Sequence, residues 1–245
     1  MPQLGTRALL AEAIGTFALI FIGVLAVTAG SLGGKPEGTV SLATIALAHG
    51  LTIAVMVAAM GAVSGGHFNP AITLGFMITG RMPAPAGLLY WLAQLLGALL
   101  AGFLVRALFG AATVAAGTPD VAAGIGAGAA MVLEGVGTFF LVLVVFGTAV
   151  DGRAPKSVFP FAIGLTITLD IMAIGPMTGG AVNPARALGP ALAAGHWSHQ
   201  LVYWIGPLIG GALGALVANY ALIERAPSPA TAERGGPAPA EERRR

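Results

Sequence analysis

Residues 65–71 read Gly-Gly-His-Phe-Asn-Pro-Ala, and residues 179–185 repeat the pattern as Gly-Gly-Ala-Val-Asn-Pro-Ala. Because asparagine is a favoured helix N-cap and proline a favoured first helical residue, each copy predicts a loop that turns abruptly into a helix. The first such helix, 69–80, would measure roughly 18 Å, well short of the roughly 30 Å hydrocarbon core of a bilayer. The second, 183–194, is predicted to have the same length. Two half-helices of this kind span a bilayer only when they meet head to head.

The composition is that of a chain surrounded by lipid. Hydrophobic residues make up 56% of the sequence and charged residues 9%, whereas a soluble surface carries roughly 25–35% charged residues. The N-terminal apolar run continues to about Gly30 without a small-residue cleavage site, so we interpret it as a span rather than a signal peptide. Six apolar runs have the length that a spanning helix needs: 8–30, 40–62, 86–108, 128–149, 157–175 and 199–222.

The sequence also excludes several kinds of function. It contains no cysteine, which excludes disulfides, thiolate metal sites and thiol redox chemistry. Four histidines and few carboxylates leave little for a metal cluster. The basic residues are scattered singly, so the net charge of +2 does not indicate nucleic-acid binding. We therefore expect no metal, no cofactor, no nucleic-acid partner and no catalysed reaction.

The two halves of the chain match each other outside the Asn-Pro-Ala segments as well. Gly50-Leu51-Thr52-Ile53 recurs as Gly164-Leu165-Thr166-Ile167, and Tyr90-Trp91 recurs as Tyr203-Trp204. Each half is thus one repeat of three spans, and an odd number of spans forces the second repeat to enter the membrane from the opposite side. The predicted fold is an all-α membrane protein with six transmembrane helices, two re-entrant half-helices and inverted three-span repeats.

This organisation divides the chain into three segments. The first repeat is expected over 1–115 and the second over 116–223. The last stretch, 224–245, consists of proline, alanine and charged residues, and has too little apolar surface to fold, so it is predicted to be a disordered tail.

The basic residues predict the orientation in the membrane. One side of the six-span layout carries most of them: Arg7, Arg81, Arg153, Lys156 and Arg225. The positive-inside rule therefore places both termini in the cytoplasm. The expected location is the plasma membrane, as a multi-pass protein.

The half-helices indicate a pore lined by Asn69, Pro70, Ala71, Asn183, Pro184 and Ala185. A helix N-terminus carries about half a positive charge from its unpaired N–H groups, so two of them facing each other would repel cations and protons. If each asparagine oxygen caps its own helix, the amide groups are left pointing into the lumen as a pair of donors. Both would bind one passing oxygen and so interrupt the chain of water along which protons move.

Backbone carbonyls of the loops before the half-helices are expected to supply the acceptors along the same pore. In the first loop these belong to Gly65, Gly66, His67 and Phe68. In the second they belong to Gly179, Gly180, Ala181 and Val182.

Charged residues inside apolar stretches need an explanation of their own. Arg186 directly follows the second Asn-Pro-Ala and is interpreted as a pore-lining donor that rejects cations, the alternative being a structural arginine bound to loop carbonyls. Glu12 and Glu134 occupy equivalent repeat positions and are predicted to accept hydrogen bonds from backbone N–H groups of the re-entrant loops. The alternative for them is a proton relay. Asp170 has no charged counterpart in the first repeat and receives no assignment.

These motifs resemble those of the aquaporin, or major intrinsic protein, family. The resemblance covers residues 8 to about 222 and is carried by Ser-Gly-Gly-His-Phe-Asn-Pro-Ala at 64–71 and Asn-Pro-Ala-Arg at 183–186. Membership implies a homotetramer with one pore per subunit. It also implies an outer constriction formed by four positions, which fall here on His49, Ile171, Gly180 and Arg186.

The constriction set is most similar to that of tonoplast-type aquaporins, several of which are associated with ammonia as well as water. It lacks the span-two aromatic and span-five histidine of strictly water-selective members, and the two aromatics of glycerol facilitators. Gly180 and Ile171 imply a wider slot than a water-only filter, with His49 as a polar wall. Ala187 argues against glycerol as the solute, because an aspartate commonly follows Asn-Pro-Ala-Arg in glycerol facilitators.

The expected function is a passive channel for water and small uncharged solutes, ammonia first, that excludes protons and ions. Its partners would be these solutes and the lipid bilayer. A glycerol or urea facilitator is the main alternative. A proton-coupled secondary transporter would also show inverted repeats and broken helices, and a closed-pore junction protein is a third possibility.

Overall fold

The computed structural model describes residues 5–36 and 39–224. Within those ranges the chain is helical and forms no strand. The helices are α1 Thr6–Leu32, α2 Leu42–Ser64, α3 Pro70–Ile78, α4 Ala84–Phe109, α5 Ala111–Ala116, α6 Ala127–Val145, α7 Phe159–Thr178, α8 Pro184–Ala194 and α9 Val202–Val217. α6 and α9 continue into π-helical turns, Phe146–Val150 and Ala218–Leu222. Beyond Glu224, the predicted tail lies outside the described residues, and so does Arg225.

In the described part of the chain, six helices are long and apolar enough to cross a bilayer, which confirms the predicted spans. They are α1, α2, α4, α7, and α6 and α9 with their π-helical turns. Their outward faces carry large apolar side chains such as Leu100 and Leu169, which are 63% and 64% exposed. Apolar faces of this kind are suited to contact with lipid. The backbone polar groups need no partner from the lipid, because they form hydrogen bonds inside each helix.

The two short helices α3 and α8 are the half-helices. The Oδ1 atom of Asn69 accepts a hydrogen bond from the Ala71 N–H at 2.9 Å, and that of Asn183 accepts one from the Ala185 N–H at 3.0 Å. These side chains are therefore N-caps. α3 ends at Ile78, two residues before the predicted end, because Gly80 takes a left-handed conformation with a φ of 70°.

The two repeats contact each other at the glycines of the repeated tetrapeptide. A Cβ atom at Gly50 would lie 2.4 Å from the Gly164 carbonyl oxygen, and one at Gly164 would lie 2.3 Å from the Gly50 carbonyl oxygen. α2 and α7 thus cross with their backbones in contact at equivalent positions. Such a close crossing needs residues without side chains.

Candidate functional site

The loops that lead into α3 and α8 adopt a strained backbone. The residues before the two asparagines, Phe68 and Val182, have left-handed φ angles of 48° and 42°. Residues other than glycine rarely adopt this region, and for a β-branched residue it is a true outlier. Such a conformation persists only where surrounding structure fixes it. Both side chains are buried, and the Phe68 ring fills the space that Gly15 leaves open.

Glu12, on α1, fixes the first loop. Its carboxylate accepts hydrogen bonds from the backbone N–H groups of His67 at 2.9 Å and Phe68 at 2.7 Å. It also accepts from the Ser64 hydroxyl at 2.7 Å and the Gln94 amide at 2.8 Å. The side chain is fully buried. Because charged acceptors form strong hydrogen bonds, this one carboxylate holds the irregular backbone in place.

Glu134, on α6, does the same for the second loop. It accepts from the backbone N–H groups of Ala181 at 3.0 Å and Val182 at 2.6 Å, and from the Thr178 hydroxyl at 2.7 Å. This side chain is also fully buried. The two carboxylates therefore occupy the positions and make the contacts expected of loop supports.

Two tyrosines complete these supports and were not among the predicted site residues. The Tyr90 hydroxyl donates to the Ser64 carbonyl at 2.8 Å, and the Tyr203 hydroxyl donates to the Thr178 carbonyl at 2.8 Å. Both acceptors directly precede a Gly-Gly pair, and both tyrosines belong to the repeated Tyr-Trp. The sequence therefore contained a signal for these supports, namely a serine or threonine directly before each Gly-Gly pair.

The asparagine side chains join the two loops to each other. The Asn69 Nδ2 atom donates to the Val182 carbonyl at 2.8 Å, and the Asn183 Nδ2 atom donates to the Phe68 carbonyl at 2.9 Å. An amide carries two N–H groups, so one N–H of each asparagine remains for the lumen. From the sequence, both N–H groups of each amide were expected to point into the lumen. The difference arises because the half-helices meet closely enough for each side chain to reach the opposite loop.

A narrow cavity runs from the asparagines to Arg186, and we call it the inner cavity. It is lined by Leu19, His49, Asn69, Ile167, Ile171, Gly180, Ala181, Val182, Asn183 and Arg186. The volume open to the centre of a water molecule is about 10 Å³, close to the smallest space that holds one water. The inner cavity therefore has room for about one water-sized molecule at a time.

A second cavity of about 200 Å³ adjoins it on the side of the segment between α5 and α6, and we call it the vestibule. His49, Ile171 and Arg186 line both cavities, so they form the neck between the two. The Arg186 Nη2 atom lies 3.3 Å from His49 Nε2, and its Nη1 atom donates to the Gly117 carbonyl at 3.3 Å. Arg186 thus lines both cavities, and its guanidinium is bound to a loop carbonyl.

Two glycines give this neck its shape. A Cβ atom at Gly180, where φ is 58°, would lie 3.1 Å from the Ile171 Cα atom. A Cβ atom at Gly23 would lie 2.4 Å from His49 Nε2. The other ring nitrogen of His49, Nδ1, lies 2.8 Å from the Ile45 carbonyl oxygen. Gly23 was not predicted as a site residue, because the sequence contains 37 glycines and nothing marks this one.

The loop residues expected to present carbonyls divide between the two loops. Gly180, Ala181 and Val182 line the inner cavity, and Gly179 lines the vestibule. Gly65, Gly66, His67 and Phe68 line neither cavity, because both cavities lie on the side from which the second loop enters. A pore-facing position for the first-loop carbonyls stays a prediction.

Asp170, on α7, lines neither cavity. It is 8% exposed, and its Oδ2 atom is buried without a hydrogen-bond partner among the described residues. Its Oδ1 atom faces Gly137, where a Cβ atom would lie 3.3 Å away. The carboxylate therefore takes no part in the neck.

Two aspartates outside the spans are held in the ionised form. Burial raises the pKa of Asp120, but hydrogen bonds from His199, from the Val121 backbone and from His196 outweigh it and lower the pKa below its ordinary 3.8. Hydrogen bonds from the side chain and backbone of Arg153 lower the pKa of Asp151 to about 2. Both aspartates tie connecting segments in place beside the ends of the helices.

Six spanning helices surround two half-helices whose N-termini meet at a lumen, and a buried arginine borders the neck of that lumen. This arrangement defines a transmembrane channel. The chain belongs to the major intrinsic protein family, which is the aquaporin family, because the profile of that family, described as Major intrinsic protein, matches residues 3–218.

Similar proteins narrow the subgroup. Aquaporin TIP4-4 from Zea mays is 47% identical over 216 residues, which cover 86% of this chain and 84% of the relative. Aquaporin TIP2-1 from Arabidopsis thaliana is 43% identical over 215 residues, covering 86% and 85%. Both are tonoplast-type proteins, which confirms the resemblance drawn from the constriction residues.

A solved structure shares the fold. The X-ray structure of the aquaglyceroporin from Plasmodium falciparum matches with a TM-score of 0.76 over 88% of this chain and 96% of that chain. Its sequence identity is 24%, so the likeness extends to the fold alone.

Proposed function

We propose that this channel conducts water and ammonia passively and excludes protons and ions. The observation that carries the proposal is the inner cavity of about 10 Å³, which is lined by His49, Ile171, Gly180 and Arg186 among others. A space of that size holds about one water, so it selects for solutes of similar size. Ammonia has that size and is uncharged.

The neck has one polar and one apolar wall, and this combination favours ammonia as a solute in addition to water. His49 and Arg186 provide polar groups on one side, and Ile171 provides an apolar wall. A solute that passes an apolar wall gives up part of its hydration shell. This costs free energy, because polar groups of the solute are left without hydrogen-bond partners. Ammonia is held less strongly by water than an ion is, so it crosses where ammonium does not.

Exclusion of cations and protons follows from charge. The N-termini of α3 and α8 face each other with their positive dipole ends, and the guanidinium of Arg186 stands at the neck. A cation would have to pass all three, and the carboxylates of Glu12 and Glu134 line neither cavity. Asp120 borders the vestibule, but its carboxylate is bonded to His196 and His199. Each asparagine keeps one N–H with which to orient a passing water oxygen.

The narrow neck argues against the glycerol alternative. Glycerol is several times larger than water, and the shared fold with an aquaglyceroporin carries no information on solutes at 24% identity. Ala187, at the position where glycerol facilitators commonly carry an aspartate, agrees with this reading.

The transporter alternative requires a titratable group that exchanges protons with the lumen. Glu12 and Glu134 are fully buried and occupied by hydrogen bonds from the re-entrant loops. Asp170 lines neither cavity. The geometry therefore favours a passive channel.

We further propose a homotetramer with one pore in each subunit, as the family resemblance implies. For its location, the tonoplast-type relatives favour the vacuolar membrane over the plasma membrane expected from the sequence. Density-gradient separation of membranes from the source cells, followed by detection of the protein, tests that location directly.

The test of function is stopped-flow measurement on proteoliposomes, comparing water, ammonia and glycerol permeability with empty vesicles. We expect fast water and ammonia and little glycerol. His49→Phe should reduce ammonia permeability more than water permeability, because it replaces the polar wall with an apolar one. Fast glycerol would overturn the proposal in favour of a glycerol facilitator, and flux that requires a pH gradient would favour a coupled transporter.

A further inference from the structure

Three side chains form a hydrogen-bonded cluster at the vestibule end of the channel, and we call it the outer clamp. Asp120 lies at its centre. Its Oδ2 atom is 2.7 Å from His196 Nε2, and its Oδ1 atom is 2.8 Å from His199 Nδ1. The clamp is partly open to solvent, with side-chain exposures of 36% for Asp120, 31% for His196 and 42% for His199.

The clamp joins two connecting segments that are far apart in the sequence. Asp120 belongs to the segment between α5 and α6, whereas both histidines belong to the segment between α8 and α9. His199 has a left-handed φ of 53°, a conformation that a residue other than glycine keeps only when contacts impose it. Its bond to Asp120 is such a contact.

The Asp120 segment also borders the neck. The Gly117 carbonyl accepts the hydrogen bond from Arg186 Nη1 at 3.3 Å. Pro119 packs on Gly179, where a Cβ atom would lie 3.0 Å from the proline Cα. Residues 117–119 are buried. Asp120 thus sits three positions from the carbonyl that holds the constriction arginine.

Apart from the bond that Gly117 accepts from Arg186, the charged contacts described on this short segment are those of Asp120. The Ala122 N–H donates to the Met177 carbonyl at 2.9 Å, which is a neutral bond. The bonds of Asp120 are charge-assisted and roughly twice as strong as neutral ones. Gly117 and Thr118 are also bonded to α5, but through neutral bonds. Loss of the carboxylate would therefore weaken the hold on the segment on the side next to Pro119.

We propose that Asp120, His196 and His199 are positioning residues that hold the Gly117 carbonyl against Arg186, and so set the width and solute selectivity of the neck. The inference rests on the proposed function, in which Arg186 forms part of the constriction. Without the clamp, the Gly117 carbonyl moves away, Arg186 loses its loop partner, and the neck admits larger neutral solutes.

The experiment compares the urea-to-water permeability ratio of full-length variants in proteoliposomes. Asp120→Ala should raise the ratio severalfold while water permeability is retained. The exchange variant, with Asp120→His and His196→Asp together, restores one carboxylate–imidazole pair and should bring the ratio back towards wild type. Rescue by exchange is a result that a general loss of folding would not give.

Asp151→Ala is the matched control, because Asp151 is also a hydrogen-bonded loop aspartate but lies away from the vestibule. It should leave the ratio unchanged. If Asp120→Ala does not insert in the membrane, His196→Ala and His199→Ala decide the question by the same ratio. A wild-type ratio in inserted clamp variants would overturn the proposal.

Arg186→Val, measured in the same series, distinguishes a failure of the proposed constriction from a failure of the clamp proposal. If it raises the ratio and the clamp variants do not, the constriction stands and the clamp proposal is wrong. If Arg186→Val itself leaves the ratio unchanged, the constriction is wrong and the clamp loses its basis with it.

Discussion

Asn69 and Val182 lie 113 positions apart in the sequence and are joined by a hydrogen bond of 2.8 Å from the asparagine Nδ2 to the valine carbonyl. The reciprocal bond from Asn183 to the Phe68 carbonyl measures 2.9 Å. Each asparagine therefore caps its own half-helix with its oxygen and fastens the opposite loop with its nitrogen. The two half-helices are held head to head by the same groups that border the lumen.

We predict that Glu134→Ala destabilises the protein strongly. It removes the acceptor for the N–H groups of Ala181 and Val182, and each buried N–H left without a partner costs about 1–3 kcal/mol. The expected loss is roughly 2–6 kcal/mol, seen as a lower midpoint of thermal unfolding in detergent. Glu224→Ala is the control, since Glu224 is a surface partner of Arg153 with its side chain 80% exposed. Equal midpoints for the two variants would contradict the assignment of Glu134 as the loop support.

Gly23→Ala should narrow the channel without opening it to new solutes. The added Cβ would lie 2.4 Å from His49 Nε2, and the ring is held by the Ile45 carbonyl on its other side, so it shifts into the neck. We expect lower water permeability in stopped-flow measurements. Gly61→Ala is the control, because its Cβ would make an ordinary 3.5 Å contact with Phe159. Unchanged permeability in Gly23→Ala would show that His49 has room to yield.

The half-helices and spans were predictable because their signals are local. A proline after an asparagine, the length of an apolar run and a repeated glycine each act within a few residues of the structure they produce. The contact between Gly23 and His49 could not be predicted in this way, because it depends on how α1 and α2 pack. The same holds for the asparagine bonds across the loops and for the bonds of Asp120, which join segments that only the complete fold brings together.

Arg186→Val should raise the permeability to urea and glycerol relative to water. Valine removes the guanidinium that lies 3.3 Å from His49 Nε2, which widens the neck and removes its positive charge. We also expect a small cation conductance in planar bilayers. Arg81→Val serves as the control, since Arg81 donates to Asn219 at 2.9 Å and lines neither the inner cavity nor the vestibule. Unchanged solute selection would remove Arg186 from the constriction.

Asp151 should make stability fall in acid. Its pKa is about 2 in the folded protein and 3.8 for the unperturbed group, so its hydrogen bonds with Arg153 stabilise the fold above pH 3.8. That contribution is lost as the pH falls from 3.8 towards about 2. Asp151→Asn has no carboxyl group that titrates at this position. The difference between the unfolding midpoints of the wild type and Asp151→Asn should therefore shrink as the pH falls through this interval. A constant difference would mean that the ion pair contributes nothing to the fold.

Asn69→Asp tests proton exclusion directly. The substitution keeps the oxygen that caps α3 but removes the Nδ2 donor to the Val182 carbonyl and places a negative charge between the two helix N-termini. That charge offsets the positive ends of the half-helices, and the lumen loses an N–H that orients water. We expect measurable proton flux in liposomes containing a pH-sensitive dye. Asn219→Asp, on the π-helical turn after α9, adds the same charge away from both cavities and should leave the vesicles proton-tight. If Asn69→Asp conducts water and remains equally tight, the proton barrier is set by Arg186 and the helix ends rather than by the asparagine pair.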